Sequence, residues 1–221
     1  AVESEDYEQA ARLRDEIRAG RRIGPRVLAA NEAISVPGGH MAGSVAIAAR
    51  TVDEALAQVD AVHAQGADLV KLMITGGVMD ATERGMPGEV KMPAEMVRAV
   101  CERAHALGIP VVLGNDTSCQ WVAQYDFWRE LCYFHEYAGA SNACALYCAT
   151  GQSARMAGLG DVTGTLRPGL CADMLVTSEN PLADLRALRT LDMVVARGRI
   201  IDRPRPKRSA RLDAGLDTLL A

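Results

Sequence analysis

Gly66-Ala67-Asp68-Leu69-Val70-Lys71-Leu72-Met73-Ile74-Thr75-Gly76-Gly77 is a short apolar run with one lysine near its centre and two glycines closing it. A continuous apolar run of this length is the pattern of a parallel strand covered on both faces. Lysine is seldom fully buried without a partner, because stripping water from an ammonium is costly. A desolvated lysine favours its neutral amine, which can act as a nucleophile or form a carbamate. Lys71 is therefore a candidate active-site group. The competing reading lays its stem along apolar surface and lets the ammonium reach water at the strand end.

The flanking sequence fits a strand set between helices. Upstream, Thr51-Val52-Asp53-Glu54 has the Ser/Thr-x-x-Glu spacing of a capping box and opens a helix to about Gln65. Before it, Arg26 to Ile34 reads as a strand closed by the loop Pro37-Gly38-Gly39-His40, and Glu3 to Ala19 has helical spacing ending at Gly20. Downstream, the Gly/Met/Pro-rich stretch from Gly76 to Pro93 is long for a simple connection, which favours a functional role. A helix from about Pro93 to Leu107 then leads to the strand Ile109-Pro110-Val111-Val112-Leu113. Gly114-Asn115-Asp116-Thr117-Ser118 and two helices, about 121–137 and 141–157, follow. This alternation is the α/β signature, with a parallel sheet and right-handed crossovers. From Thr163 the character changes. The turn Gly164-Thr165-Leu166-Arg167-Pro168-Gly169, a strand over Ala172 to Thr177 and a hairpin around Met193 to Ile201 make a β-rich appendage.

Composition narrows the function classes. The chain has 221 residues, 49% apolar and 24% charged, as a globular protein with a substantial core does. A net charge of −4 argues against nucleic acid as the main partner, and 4% aromatics leave little for base stacking. The basic run Arg203-Pro204-Arg205-Pro206-Lys207-Arg208 reads as a solvated, poorly ordered tail. Six cysteines form no C-x-x-C pair, and Cys144 and Cys148, one helical turn apart, read as core packing; a reducing cytoplasm fits. No apolar run reaches membrane-spanning length and the first residues are acidic, so neither a membrane partner nor a signal peptide is expected. The chain starts with Ala, as a processed or partial product would.

Four segments in order resemble the amidohydrolase superfamily, in particular its imidazolonepropionase-like and prolidase-like members. They are Gly24-Pro25-Arg26-Val27-Leu28 with Gly38-Gly39-His40, the Gly66-to-Lys71 strand, Leu113-Gly114-Asn115-Asp116, and Gly164-Thr165-Leu166-Arg167-Pro168-Gly169 with Ala172-Asp173 and Asn180-Pro181-Leu182. The resemblance implies an α/β fold: a partial (β/α)8 barrel over residues 1–160, with a small C-terminal β-sandwich portion and tail over 161–221. It implies a metal-dependent hydrolase of amide or peptide-like C–N bonds, acting on a small substrate such as a dipeptide or an N-acyl amino acid. Lys71 would be carboxylated and bridge one or two divalent metals, zinc being expected. Asp116 would ligate metal and take a proton from the attacking water. His40, on a loop after a strand, would be at the end of a barrel where substrates bind, and has a second reading as an ordinary loop histidine.

The chain departs from that pattern in ways that matter. The family's His-x-His pair on the first strand and its two later histidines have no counterpart. Ala104-His105-Ala106-Leu107-Gly108-Ile109-Pro110-Val111-Val112 runs directly into Leu113-Gly114-Asn115-Asp116, as if a fifth strand were fused to an eighth. About three barrel strands stand where the fold needs eight. An alternative follows: a catalytically incomplete, internally deleted remnant acting as an oligomerising or binding protein, with a homo-oligomer covering its open sheet edges. His63, His105 and His135 lie on helices and read as surface or packing residues. Asp116 has a second reading as a helix cap, Gly76-Gly77 as a tight turn or a phosphate-binding strand end, and Asp173 as a turn residue.

Overall fold

The computed structural model describes residues 7–77, 88–117, 119 and 121–220. The chain is a mixed helix-and-strand protein of two compact units, Ala1–Ile109 and Pro110–Ala221. The 160/161 division drawn from the sequence falls inside the second of them.

In the first unit, α1 (Tyr7–Arg18) is followed by β1 (Ala33–Ser35) and β2 (Ala46–Ala48). The two strands pair in parallel, Ala33 opposite Ala46 and Ser35 opposite Ala48, through a connection over 36–45 that carries no helix. α2 (Val52–Ala64) begins where expected. Thr51 Oγ1 accepts the Glu54 N–H at 3.1 Å, and Glu54 reaches back to the Arg50 N–H at 2.7 Å. α3 spans Ala94–Ala106 and packs on α2. Ala55, Val59 and Val62 on α2 and Val97, Val100 and Ala104 on α3 are buried at helical spacing.

The Lys71 run is a partial strand. Ile34 N–H donates to Lys71 O at 2.9 Å and Met73 N–H to Ile34 O at 2.9 Å, so the segment lies parallel to β1. Among the described residues Leu72 alone bridges to β1, and Ala67 to Ile74 are half-buried instead of covered on both faces. The reason is the neighbour count: among the described residues the segment has β1 on one side and, beyond Ile74, only the returning residues 88–92. Thr75 there bridges Val90 in antiparallel sense, and Gly76 N–H donates to Glu89 O at 2.8 Å. Residues 78–87 of the loop singled out from the sequence lie outside the described residues.

In the second unit, α4 (Phe127–Ala138) stops at Gly139, whose φ of 69° closes the helix in the left-handed region. α5 (Asn142–Tyr147), a π turn (Cys148–Gln152) and α6 (Ser153–Met156) together fill the expected 141–157 helix. Leu131, Ala145 and Leu185 form a buried cluster that collects Leu113, Phe127 and Leu146. β3 (Met174–Val176), β4 (Met193–Ala196) and β5 (Arg199–Asp202) make one antiparallel sheet in the order β3-β4-β5. The β4–β5 turn is Arg197-Gly198, with φ of 50° and 78°, the left-handed pair that a two-residue hairpin demands. Among the described residues this is a single three-stranded layer. α7 (Ala210–Asp217) follows a stretch expected to be a loose tail. Arg208 is bound instead: its guanidinium meets Asp213 at 3.0 Å and lies 4.7 Å from the centre of the Tyr125 ring.

Three expectations are corrected. Arg26 to Ile34 contributes strand only from Ala33: before it Ala29 O accepts the Asp68 N–H at 2.8 Å, but no ladder continues from that bond among the described residues. Ile109 to Leu113 forms no strand, because a parallel strand needs a ladder partner and none is present among the described residues. The first of the two late helices starts at Phe127, not near 121, since Trp121 has a φ of 70°. Of the cysteine pair, Cys148 is buried and Cys144 exposed.

Candidate functional site

Asp68 ties down the start of the Lys71 segment. Its Oδ2 accepts from Arg14 at 3.0 Å and from the Ala29 N–H at 2.9 Å, and its Oδ1 accepts from Arg18 at 2.5 Å. Burial pushes this carboxyl up, but the Ala29 amide and the two guanidiniums outweigh it and hold it below the usual carboxylate range. Arg14 also donates to Gly66 O at 2.8 Å, so α1 clamps the turn that delivers the lysine. This contact joins residues more than fifty positions apart, and sequence periodicity carries no signal for it.

At the other end of the segment stands His40. Its N–H donates to Thr75 O at 3.1 Å, and its imidazole packs so closely on Gly77 that a Cβ there would overlap the ring. Gly77 has a φ of 69°, so glycine is required twice over, for conformation and for the ring. Gly39 is held the same way against the Ser35 side chain. Ser35, at the end of β1, is fully buried, and its hydroxyl has no hydrogen-bond partner among the described residues. It is the polar group near the site that sequence reading passed over, because one serine ending a strand is unremarkable. His40 thus lies at the C-terminal end of the segment, bonded to Thr75 four residues beyond Lys71, and α/β proteins place their sites at that end. The Lys71 and His40 side chains are half-buried.

Asp116 lies in the second unit. It is exposed, has a φ of 51° and accepts the Cys119 N–H at 3.0 Å in a turn. α4 starts far beyond it, with Asp126 as the residue before the helix, so Asp116 is not that helix's cap. The strand expected to present it is absent. His63 and His105 are exposed on α2 and α3, and His135 meets Ala140 O at 2.7 Å at the end of α4. Among the described residues no three His, Cys, Asp or Glu side chains converge as metal ligands would. Lys71 and Asp116 are too few donors to hold a divalent ion against water, so the residues described do not fit the expected metal centre. No helix among them is long and apolar enough to cross a membrane.

A crystal structure of a "putative prolidase" from Bifidobacterium longum is 28% identical, covering 96% of this chain and 75% of that one, with a TM-score of 0.52. The chain is similar in sequence and in fold to that prolidase-like protein over nearly its whole length. Less similar are a Xaa-Pro dipeptidase with bound methionine, at 20% identity over 87% of this chain and 72% of that one with a TM-score of 0.42, and an amidohydrolase at 18% over 88% and 73% with a TM-score of 0.48. Residues 1–22, which include α1, match the UvrB/uvrC motif. No curated protein matches the chain.

Proposed function

We propose that this amidohydrolase relative derives from a hydrolase of small C–N substrates, dipeptides or N-acyl amino acids, with its reactive end at Lys71 and His40. One observation carries this reading: the Lys71 segment lies parallel to β1 with the His40 loop bonded at its C-terminal end, in a chain 28% identical to a prolidase-like structure over nearly its whole length. In this reading residues 1–160 are the barrel-derived part and 161–221 the small β-domain, working in the cytoplasm as a homo-oligomer. His40 orients the substrate, and Asp116 receives the proton of the attacking water. Carboxylated Lys71 and one or two divalent ions, zinc foremost, belong to the parent chemistry, and no step is assigned to them here because the donors described do not assemble a centre.

A second reading has its own observation. The chain divides between Ile109 and Pro110, beside the apparent fusion of a fifth strand to an eighth, and the strand expected there is missing. This favours a catalytically incomplete remnant that binds or oligomerises. The two readings part in one experiment: metal per chain by plasma mass spectrometry on protein purified without chelator, together with hydrolysis of Xaa-Pro dipeptides. About one or two ions per chain, with turnover abolished in Lys71→Ala, establishes the hydrolase. Metal-free protein with no turnover, sizing as a dimer or larger by light scattering, establishes the remnant.

A further inference from the structure

The second unit contains an open cleft of ≈ 330 Å³ between α6 and the loop that follows it. Its walls carry Arg155 and Arg167, the hydroxyl residues Thr163 and Thr165, the carboxylate of Asp161, and backbone at Gly151, Gly158 and Gly160. Close glycine packing fixes those walls. A Cβ on Gly160 would come within 2.9 Å of the Arg155 side chain, and one on Gly151 within 3.2 Å of Thr165. Gly164, with a φ of 94°, lies against Ala154 too tightly for any side chain. The π turn at Cys148–Gln152 is what carries Gly151 to this wall, and such turns recur at binding sites.

The charges in the cleft are held but not neutralised. Arg155 donates to the Tyr147 hydroxyl and lies 5.4 Å from the centre of that ring, so its guanidinium is oriented by a neutral group. Neither Arg155 nor Arg167 makes an ion pair among the described residues, and Asp161 makes none with them. Two guanidiniums against one carboxylate leave the cleft positive. The Thr163 hydroxyl is committed to Asp173 at 2.7 Å, whereas that of Thr165 makes no hydrogen bond among the described residues. The N–H groups of Gly160, Asp161 and Thr165 donate to no backbone carbonyl among the described residues. One guanidinium oriented by Tyr147, a second, exposed one at Arg167, a hydroxyl and amides in one glycine-walled cleft suit a ligand with several acceptor oxygens and negative charge.

We propose that this cleft binds a phosphate group, as inorganic phosphate or as the phosphoryl end of a small molecule, with Arg155 and Arg167 as its two charged contacts. The site is independent of Lys71, His40 and any hydrolysis they perform. The test is calorimetric titration of the full chain with inorganic phosphate and with glycerol 3-phosphate at constant ionic strength. Saturable binding that weakens roughly tenfold or more in Arg167→Ala, with the phosphate-free melting temperature unchanged, is the expected result. Arg167→Lys keeps the charge but loses the paired donors and falls between the two. If Arg167→Ala lowers the melting temperature, Thr165→Val, which removes a hydroxyl at an exposed position, provides the second reading with a smaller loss. Tighter binding of glycerol 3-phosphate than of inorganic phosphate identifies an organic phosphate as the ligand, and equal binding identifies free phosphate. Absence of saturable binding for both, or affinity untouched by both substitutions, overturns the proposal.

Discussion

Asp68 in the first unit, half-buried, and Asp126 in the second, buried, are both carboxylates beside arginines, and their fates are opposite. Asp68 accepts three hydrogen bonds, from two guanidiniums and one amide, and its carboxyl is held low. Asp126 has Arg129 at 3.5 Å and Arg208 at 3.6 Å, yet among the described residues neither of its side-chain oxygens accepts a hydrogen bond. Burial pushes its carboxyl up, Arg129 opposes, and Asp213 adds to the rise. Arg129 itself is bound elsewhere, at 2.7 Å from Asp217. Nearness of opposite charge does not stabilise a buried carboxylate. Aligned donors do, because desolvation is repaid bond by bond.

The comparison breaks first at Asp68. Asp68→Ala removes one of three acceptors of the buried Arg14, leaving Asp15 and Gly66 O, and also frees Arg18 and the Ala29 amide; it is expected to cost about 2 kcal/mol, read as a lower urea midpoint. A loss below about 0.5 kcal/mol would mean that the clamp is ornamental. Asp126→Asn keeps shape and removes an unsatisfied charge, so it is expected to cost nothing and to gain up to about 1 kcal/mol at neutral pH in the same measurement. The smallest effect is in pH dependence, and it sharpens the contrast by sign. A carboxyl raised in the folded state takes up its proton first there, so falling pH stabilises the fold through Asp126 before reaching the ordinary value of 3.8. A carboxyl lowered in the folded state contributes stability above 3.8 and loses it as pH falls through its own lower value, which is the case for Asp68. Hydrogen exchange followed from pH 7 downward should show rising protection in α4 and α7 first, and falling protection around α1 only in stronger acid. Asp126→Asn should remove the first change and leave the second.

What the sequence disclosed follows the same local-versus-distant division. Thr51 and Glu54, three residues apart, announced α2 correctly because a cap is settled within one turn. The glycine after α4 and the Arg197-Gly198 hairpin are local in the same sense. The strands failed where they depended on neighbours. An apolar run such as Ile109 to Leu113 states that a strand is possible and says nothing about whether a partner lies beside it. Lys71 was legible as an exception within its run, and His40 as a loop residue after a strand. That the His40 loop bonds to Thr75, and that the Asp116 strand never forms, depend on pairings that periodicity does not encode. The link from Arg129 to Asp217 spans 88 positions and left no trace in the pattern.

The Arg197-Gly198 turn also sets a clock. A hairpin closed by two residues costs little chain entropy, so β4 and β5 meet within microseconds of collapse. β1 has to wait for Leu72, across a loop that includes the whole of α2, before its second ladder exists. In a nascent chain leaving the ribosome amino end first, the segment carrying Lys71 is thus made early and completed slowly, while the sheet made last closes at once.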